Sequence, residues 1–500
     1  MDKKDNLAEL IHSLTKAEKR YFSTFANREK GKKNYLQVFD AIRNTGDPDK
    51  STIKKSLSDL HGLKDLHRNK AYLHSLLLDS LHFQHSETSI AARLYKLTHV
   101  ARILFDKALY KQAYVVIRKA KKIAYRHDRL NMLPEIVGFE GSLNISNDFR
   151  SNPNTTAEIL KVDRLCSNYN QYLNLATQVG SSIINYEIAR SKKQKADLDK
   201  IMQHPILAKK ETLSVTAEYA FYGIWFFYYY TTSNHSMAHK SLQSQLKLIE
   251  NNKEKFENKE LSHYRTMGNL ILCQINLKKY KEAFLSIEKM KNIRSSSKSL
   301  NEYILTNSYT SELDLYIRLG WFEEGIGRIK NIDIELKMIQ VDTLVLYTNF
   351  AYIYFGAGRY RQALDWLTKV LNIQKTSVRQ DAQSTARILY LITRFEMDAA
   401  DIFLKNIAQS TNYFHKKIKY LFRSEKLIID FFYKEIRKYP TAKELRSAFI
   451  KLRKNITELF EKYPEEKAIL NNFDILSWIN SKIENRSFAK LVKEKVTHAS

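Results

Sequence analysis

The chain has 500 residues, a formal net charge of +28, and only 13 glycines and 6 prolines. β-Sandwiches, β-barrels and Rossmann-type sheets need many tight turns, and those turns need glycine and proline. The composition therefore argues against these folds and favours helices joined by short polar loops. The two cysteines, Cys166 and Cys273, are too few and too far apart for a disulfide framework or a cysteine zinc site. Their scarcity predicts a reducing compartment.

Residues 1–90 are predicted to form a helical unit of their own. Thr15, followed by Glu18, has the pattern of a capping box at the start of a helix. A second helix is expected from about Lys32 to Arg43, and a long one from about Leu63. The first residues mix acidic and basic side chains and lack the apolar core of a signal peptide. With the two cysteines, this predicts a cytoplasmic location.

Four histidines fall on one side of the helix expected after Leu63, within a stripe about 80° wide at 100° per residue: His67, His74, His82 and His85. His82 and His85 are one turn apart, a spacing that can bind a transition metal. The alternative is a half-buried packing face, because Leu78 and Leu81 share the stripe. No cysteine or carboxylate shares it. No metal or other cofactor is therefore expected, and these two histidines remain the only candidate ligands.

Between about residues 91 and 410 a helical hairpin pattern repeats. An aromatic residue opens the second helix of each hairpin, and a small residue follows three positions later. Four clear copies carry the pairs Tyr110/Ala113, Tyr280/Ala283, Phe322/Gly325 and Tyr360/Ala363. Fainter copies are anchored on Ala157, Ala196, Ala238 and Ala400, and successive small residues are 37 to 45 positions apart. A small residue lets two antiparallel helices approach closely, so this ladder predicts stacked hairpins.

The segment Leu344–Asn372 resembles a tetratricopeptide repeat. It matches the family in the first helix (Tyr347, Phe350, Ala351, Tyr354) and in the turn and second helix (Gly358, Tyr360, Ala363, Leu367). The period of about 41 residues departs from the family's 34, and the proline that ends the family's second helix is missing. The resemblance implies an all-α fold, an α-solenoid or superhelix of such hairpins. The whole chain is also similar to uncharacterised bacterial proteins with an N-terminal unit before repeats of this kind.

The resemblance further implies a concave groove that binds a peptide through side chains of the first helices. It places eight residues in that groove: Tyr95, Phe105, Phe227, Tyr230, Leu272, Ile275, Tyr352 and Phe355. The alternative is that all of them belong to the core. The uncharged run Tyr219–Asn234 has 16 residues. Since about 20 are needed to span a bilayer, this run is expected to be a buried helix.

Most of the excess positive charge lies in residues 91–130 and 416–454, each with a net charge of +9. The helices expected there carry two basic faces: Lys111, Arg118, Lys122, Arg126 and Arg129 in the first, and Lys416, Arg423, Lys434 and Lys438 in the second. Such faces favour an acidic protein or a phosphate backbone. The first face has none of the stacking aromatics that favour single-stranded nucleic acid. The alternative is an ordinary solvated helix surface.

Residues 411–500 are predicted to form about four helices that cap the repeats, with breaks at Tyr439-Pro440 and Tyr463-Pro464. No nucleotide-binding loop, hydrolase, metalloprotease or paired-cysteine motif occurs in the sequence, so an enzyme is not expected. The leading hypothesis is a non-enzymatic scaffold that binds a protein or peptide in a repeat groove. The alternative is a nucleic-acid-binding or transcription-regulatory protein, which would use the basic faces and a helix-turn-helix in the N-terminal unit.

Overall fold

The computed structural model describes residues 6–26, 34–45, 66–146, 153–186, 192–336, 344–372, 380–397, 401–418, 423–435, 441–471 and 473–497. Within these ranges all regular secondary structure is helical and no strand occurs, which confirms the predicted all-α class. No helix in the same ranges is both long and apolar enough to cross a membrane. Two compact units can be separated by their internal contacts. Unit 1 comprises Met1–Asn170, Leu213–Thr216 and Glu254–Glu257, and unit 2 comprises Gln171–Thr212, Ala217–Lys253 and Asn258–Ser500.

The N-terminal helices of unit 1 form a small core of their own. They are α1 Asn6–Ser13, α2 Lys16–Ala26, α3 Asn34–Asn44 and α4 Leu66–His85. The predicted capping box is confirmed. The Glu18 N–H donates to Thr15 Oγ1 at 3.2 Å, and the Thr15 N–H donates to the Glu18 carboxylate at 2.7 Å. Phe22, Phe39 and Leu77 fill the space where α2, α3 and α4 meet. The segment Asn44–Lys50, whose Gly46 and Pro48 predict a linker, lies mostly outside the described residues.

The remainder of unit 1 is built around one amphipathic helix. Helix α5 Ile90–Asp106 packs on α6 Tyr110–Arg126, and α6 packs on α7 Leu133–Ser146. The apolar stripe of α6 is fully buried; it consists of Ala113, Ile117, Ala120 and Ala124. Helix α8 Pro153–Tyr186 follows and continues into unit 2.

After α8, short loops join many helices in succession. These helices are α9 Lys192–Met202, α10 Pro205–Lys209, α11 Val215–Thr231, α12 His235–Asn251, α13 Lys259–Asn276, α14 Tyr280–Lys291, α15 Lys298–Leu319, α16 Phe322–Leu336, α17 Leu344–Gly356, α18 Tyr360–Leu371, α19 Gln380–Glu396, α20 Asp401–Ile418, α21 Arg423–Asp430, α22 Ala442–Lys462, α23 Ile475–Glu484 and α24 Phe488–Thr497. From α12 to α20 each helix packs on the next one, and α13, α15, α17 and α19 also pack on one another in that order. Consecutive hairpins of unit 2 therefore bury each other's apolar faces.

The clear hairpins share one turn. At the end of α13, the N–H of Lys278 donates to the carbonyl of Ile275 and the N–H of Lys279 donates to that of Gln274, the two bonds of a Schellman motif. The same pair of bonds ends α5, α11, α15 and α17. Each turn has one residue in the left-handed region, five positions before the small residue of the ladder: Ala108, Ser233, Lys278, Gly320 and Gly358.

The small residues of the clear hairpins are buried in the packed helices. Ala113, Ala283 and Ala363 are fully buried, and a Cβ on Gly325 would lie 3.0 Å from the side chain of Ile353. Of the fainter anchors, Ala238 is fully buried and Ala400 lies outside the described residues. Ala157 and Ala196 are exposed, so these two anchors were wrong. Each lies about one turn after the start of its helix, at Pro153 and Lys192, so the helix starts agree with the ladder and only the buried contact is missing.

The C-terminal helices share the core of α15 to α20. Helix α22 begins at a capping box formed by Thr441 and Glu444 and ends at Lys462, next to the predicted break at Tyr463-Pro464. Pro440 lies outside the described residues. Helix α24 packs on α15, and its Phe488 stacks on Phe322 and Phe473. The segment predicted to cap the repeats is therefore buried against earlier helices of unit 2.

Substituting glycine for Lys278 should stabilise the protein. A non-glycine residue in the left-handed region costs about 1–2 kcal/mol, and the extra freedom of glycine in the unfolded chain offsets about 0.4–1 kcal/mol of the gain. Lys278 has φ 59° and is exposed, so we expect Lys278→Gly to raise the free energy of unfolding in urea by about 0.5–1 kcal/mol. Lys278→Ala removes the side chain but keeps the strain, and should change stability little. Equal stabilisation by both variants would attribute the effect to the lysine side chain instead.

Candidate binding surfaces

The eight predicted groove residues do not form one open surface. Only two of them stay more than one-third exposed: Tyr95 at 61% and Leu272 at 42%. Phe105, Phe227 and Tyr230 are half-buried. Ile275, Tyr352 and Phe355 are buried, so their assignment to a partner-binding groove is corrected. They are parts of the core and cannot contact a partner directly.

The C-terminal segment of the chain accounts for two of these corrections. The hydroxyl of Tyr352 accepts the backbone N–H of Asp474 at 2.9 Å, and burial raises the pKa of this hydroxyl far above its usual range. The ring of Phe355 packs against Phe473 and Phe488 at centroid distances of 5.7 and 5.6 Å. The face of α17 that the resemblance assigns to a peptide is thus covered by the protein's own residues 473–488.

Helix α11 presents its aromatic residues mainly to one another and to the core. The ring of Phe226 is buried and touches both Phe227 and Tyr230, with centroids 4.9 and 5.7 Å away. Phe227 and Tyr230 pack against the same apolar cluster as Ala238 and Met267. The run is helical as predicted, but most of its residues are half-buried and not buried. The rings of Phe227 and Tyr230 are half-buried, which makes them weak anchors for a peptide.

The outer side of α6 is an exposed, positively charged surface. Five cations lie on it, and we call them the α6 basic strip: Lys111, Arg118, Lys119, Lys122 and Arg126. All five are exposed, the helix contains no carboxylate, and from Lys111 to Arg126 the strip is about 22 Å long at 1.5 Å per residue. Among the described residues, Lys111, Lys122 and Arg126 form no ion pair, whereas Arg118 lies 4.0 Å from Glu140. Its guanidinium also lies over the ring of Tyr114.

Two basic residues near the strip are turned inward. Arg129, which the sequence placed on this face, is mostly buried at 14% side-chain exposure and pairs with Glu257 at 3.2 Å, so its assignment to the basic face is corrected. Lys121 bonds Glu140 and Glu158. Burial alone would lower the pKa of Lys121, but these two carboxylates outweigh it and raise the pKa. These inward pairs neutralise charge beneath the strip, whereas Lys111, Lys122 and Arg126 on its outer side form no ion pair within the described ranges.

The second predicted basic face is only partly described. Lys416 on α20 and Arg423 at the start of α21 are exposed. The Arg423 guanidinium lies over the ring of Tyr463 at 3.8 Å. Lys434 falls in the π-helical turn Phe431–Glu435, and Lys438 lies outside the described residues.

No protein-family model matches the chain, and no curated protein sequence matches it either.

The four histidines of α4 do not lie on a packing face, which was the alternative to a metal site. His67, His82 and His85 are exposed, and His74 is half-buried, because the buried side of α4 is formed by Leu73, Leu76 and Leu77. His85 Nε2 lies 2.9 Å from the Glu18 carboxylate, a contact that links α4 to α2. In the part of the chain that the structure describes, no group of three or more histidines, cysteines and carboxylates could hold a metal ion.

A buried polar cluster in unit 2 has no counterpart in the sequence patterns. Ser384 Oγ donates to Glu425 Oε1 at 2.8 Å and lies 3.3 Å from His415 Nε2, while His415 Nδ1 lies 3.6 Å from Glu425 Oε2. These are the residue types of a hydrolytic triad. However, the hydroxyl is bonded to the carboxylate and all three side chains are buried, so no substrate can reach the hydroxyl. The cluster is arranged to fix the packing of α19, α20 and α21.

Proposed function

We propose that this chain is a non-catalytic binding protein built of tetratricopeptide-like hairpins, and that its partner is an acidic protein or peptide. The α6 basic strip carries the proposal. It combines five exposed cations with a helix that has no carboxylate of its own. A surface of one sign attracts and orients an oppositely charged partner. The shared Schellman turns and the ladder of small residues support the tetratricopeptide-like architecture.

Exposed apolar side chains favour a protein over a nucleic acid as the partner. Val115 lies in the middle of the α6 basic strip and is 69% exposed, and Leu109 and Ile103 beside the start of α6 are also exposed. A phosphate backbone gains little from such groups, whereas protein interfaces combine an apolar centre with a charged rim. The preferred ligand is thus a segment that alternates carboxylates with apolar side chains.

The second candidate is a nucleic acid held by its phosphates. The observation that favours it is the length of the strip, about 22 Å, which several phosphates along one strand could follow. The only ring on the strip, that of Tyr114, already lies beneath Arg118. Contacts to a nucleic acid would therefore be to its backbone, with steep salt dependence and little sequence preference.

Charge reversal on the strip tests the proposed function. We expect Lys111→Glu/Arg118→Glu/Lys122→Glu to abolish retention on heparin at low salt and to abolish binding of a fluorescent Glu-Glu-Leu repeat peptide measured by anisotropy. The matched control is Lys240→Glu/Lys247→Glu/Lys281→Glu, three exposed lysines of unit 2 with the same change in charge. Unchanged binding by the α6 variant, or equal loss in the control, would remove the strip as the binding surface.

The same assay separates the two partners. The peptide is compared with a polyglutamate and an oligothymidylate of equal charge. If the partner is an acidic protein, the Glu-Glu-Leu peptide should bind more tightly than the polyglutamate and the oligothymidylate. A Val115→Ser variant should reduce that preference by about threefold, as expected for the loss of an apolar contact of about 0.7 kcal/mol. Tighter binding of the oligothymidylate, insensitive to Val115→Ser, would favour the nucleic-acid candidate.

A further inference from the structure

Helix α12 carries a histidine where the clear hairpins carry an apolar or aromatic residue. The position directly follows the small residue of the ladder. It is occupied by Tyr114, Phe284, Ile326 and Leu364 in the clear hairpins, and by His239 in α12. The aliphatic side chains at this position are buried and the aromatic ones are half-buried. His239 is 4% exposed, so the fold encloses an ionisable ring at a packing position.

One ring nitrogen of His239 is enclosed without a hydrogen-bond partner. Its Nε2 is buried and makes no hydrogen bond among the described residues. The carboxylate of Glu282 on α14 lies nearby, with Oε2 3.9 Å from this nitrogen, which is too far for a hydrogen bond. Both oxygens of Glu282 already accept bonds from Lys279, at 3.0 and 3.3 Å. The imidazole therefore has no acceptor ready for a second N–H.

Two further histidines of the same region are enclosed in a similar way. His235 begins α12, and its Nδ1 is buried without a hydrogen-bond partner while its ring packs 5.6 Å from that of Tyr230. His263 lies near the start of α13, the helix on which α12 packs. Its Nε2 is also buried and unbonded, at 3.9 Å from the carboxylate of Glu250. Two neighbouring helices of unit 2 thus hold three such rings.

Protonation changes what an enclosed ring nitrogen has to do. A neutral imidazole can leave one nitrogen bare as an acceptor, whereas an imidazolium carries an N–H on both nitrogens. An enclosed N–H without an acceptor loses the hydrogen bonds that it makes in water, and the penalty is larger when the group is charged. The packed arrangement of α12 and α13 therefore disfavours the charged form of each of these three rings.

The electrostatic surroundings act in the same direction. Burial lowers the pKa of all three histidines, and for His235 it is the sole cause. The charge of Lys279 lowers the pKa of His239 further, and Glu282 opposes this without reversing it. At His263, Glu250 opposes the effect of burial and Lys253 adds to it.

The sign of the resulting pH dependence follows from these shifts. Each ring binds a proton more readily when its helix is open than when the helix is packed. The packed form therefore has its full stability above the ordinary histidine pKa of about 6.5, and loses stability as the pH falls below that value. Acidification favours an open form of this region over the packed one.

We propose that α12 is an acid-sensitive element that opens from its packed neighbours when the pH falls below about 6.5, with His239 as the principal group. Opening would expose the apolar cluster that α12 shares with α11 and α13, including Phe226, Leu242 and Met267. The inference goes beyond the proposed function, because it concerns unit 2 and involves no residue of the α6 basic strip.

Hydrogen exchange of the α12 amides in the full-length protein measures the opening, after correction for the intrinsic effect of pH on exchange. Between about pH 7.5 and pH 5.5 we expect the opening constant of α12 to rise at least about fivefold, because one histidine with an ordinary pKa in the open form contributes up to about tenfold. Helix α18, which has Leu364 at the position of His239, is the internal reference and should change less than about twofold. No rise in α12, or an equal rise in α18, would overturn the proposal.

Substitutions assign the effect to the histidines. His239→Phe supplies the ring that Phe284 provides in the next hairpin, and should reduce the acid-induced rise at α12 at least about threefold. Adding His235→Gln and His263→Gln should remove the remainder. The matched control is His99→Phe on α5, an exposed histidine, which should leave the rise unchanged.

Circular dichroism melts at about pH 7.5, where the histidines are neutral, check that each variant is folded. If His239→Phe does not fold, His239→Leu introduces the side chain that α18 carries at this position and takes its place. An undiminished rise in the folded variant, or an equal reduction in His99→Phe, would contradict the role of His239.

Discussion

Replacing Gly356 by alanine is expected to lower the free energy of unfolding by about 3 kcal/mol, the upper part of the range for overpacking a core. A Cβ at this position would lie 2.3 Å from two atoms of the Phe322 ring. That ring is buried and stacked on Phe488, so it cannot move aside without shifting α24. Chemical denaturation followed by circular dichroism measures the effect.

Gly327 provides the matched control. It lies in α16, is exposed, and a Cβ there would meet nothing within 4 Å. Gly327→Ala should therefore stabilise the protein by about 0.5–1 kcal/mol, the usual gain in a helix interior. The double variant Gly356→Ala/Phe322→Leu should be at least about 1 kcal/mol more stable than the sum of the two single losses predicts, because the two positions share one contact. Additive behaviour, or a neutral Gly356→Ala, would contradict the tight packing of this turn.

The second large effect is expected at the buried polar cluster. Glu425→Ala removes the carboxylate that accepts from Ser384 and lies beside His415. Deleting the acceptor of a buried hydrogen bond costs about 1–3 kcal/mol, because a buried donor loses its partner. We expect a loss in that range in urea unfolding at neutral pH, with the helical content of the folded state unchanged.

An exposed ion pair serves for comparison. Glu458 pairs with Lys454 on the surface of α22 at 3.8 Å, and Glu458→Ala should cost no more than about 0.5 kcal/mol. Replacing the three residues by apolar ones (Ser384→Ala, His415→Leu and Glu425→Met together) should recover at least about half of the loss, since the groups that bond one another are then removed together. A loss below about 1 kcal/mol in Glu425→Ala would mean that solvent or another side chain already satisfies the cluster.

Local features of the fold were predictable because they depend on neighbours in the sequence. The capping box at Thr15 needs two residues three positions apart. The hairpin turns need an aromatic residue and a small residue at fixed distances. The prediction of a buried small residue was wrong at Ala157 and Ala196, which fitted the repeat only by their spacing. Neither has an aromatic residue three positions before it, and both side chains are exposed near the start of their helices.

The candidate sites were less predictable, because their partners are distant along the chain. The basic strip followed from helical periodicity, except for Arg129, whose inward turn depends on Glu257. The burial of Tyr352 and Phe355 depends on residues more than 100 positions later, which no pattern within one repeat can show.

The contact between the C-terminal segment and α17 also has a consequence for folding during translation. The Tyr352 hydroxyl and the Asp474 N–H are 122 residues apart. At about 5–20 residues per second, a ribosome needs roughly 6–25 s to supply the later partner. During that interval the apolar face of Tyr352 and Phe355 lacks its cover. The nascent chain thus exposes an apolar surface until residues 473–488 have been translated, whereas the helices of residues 6–85 can fold earlier.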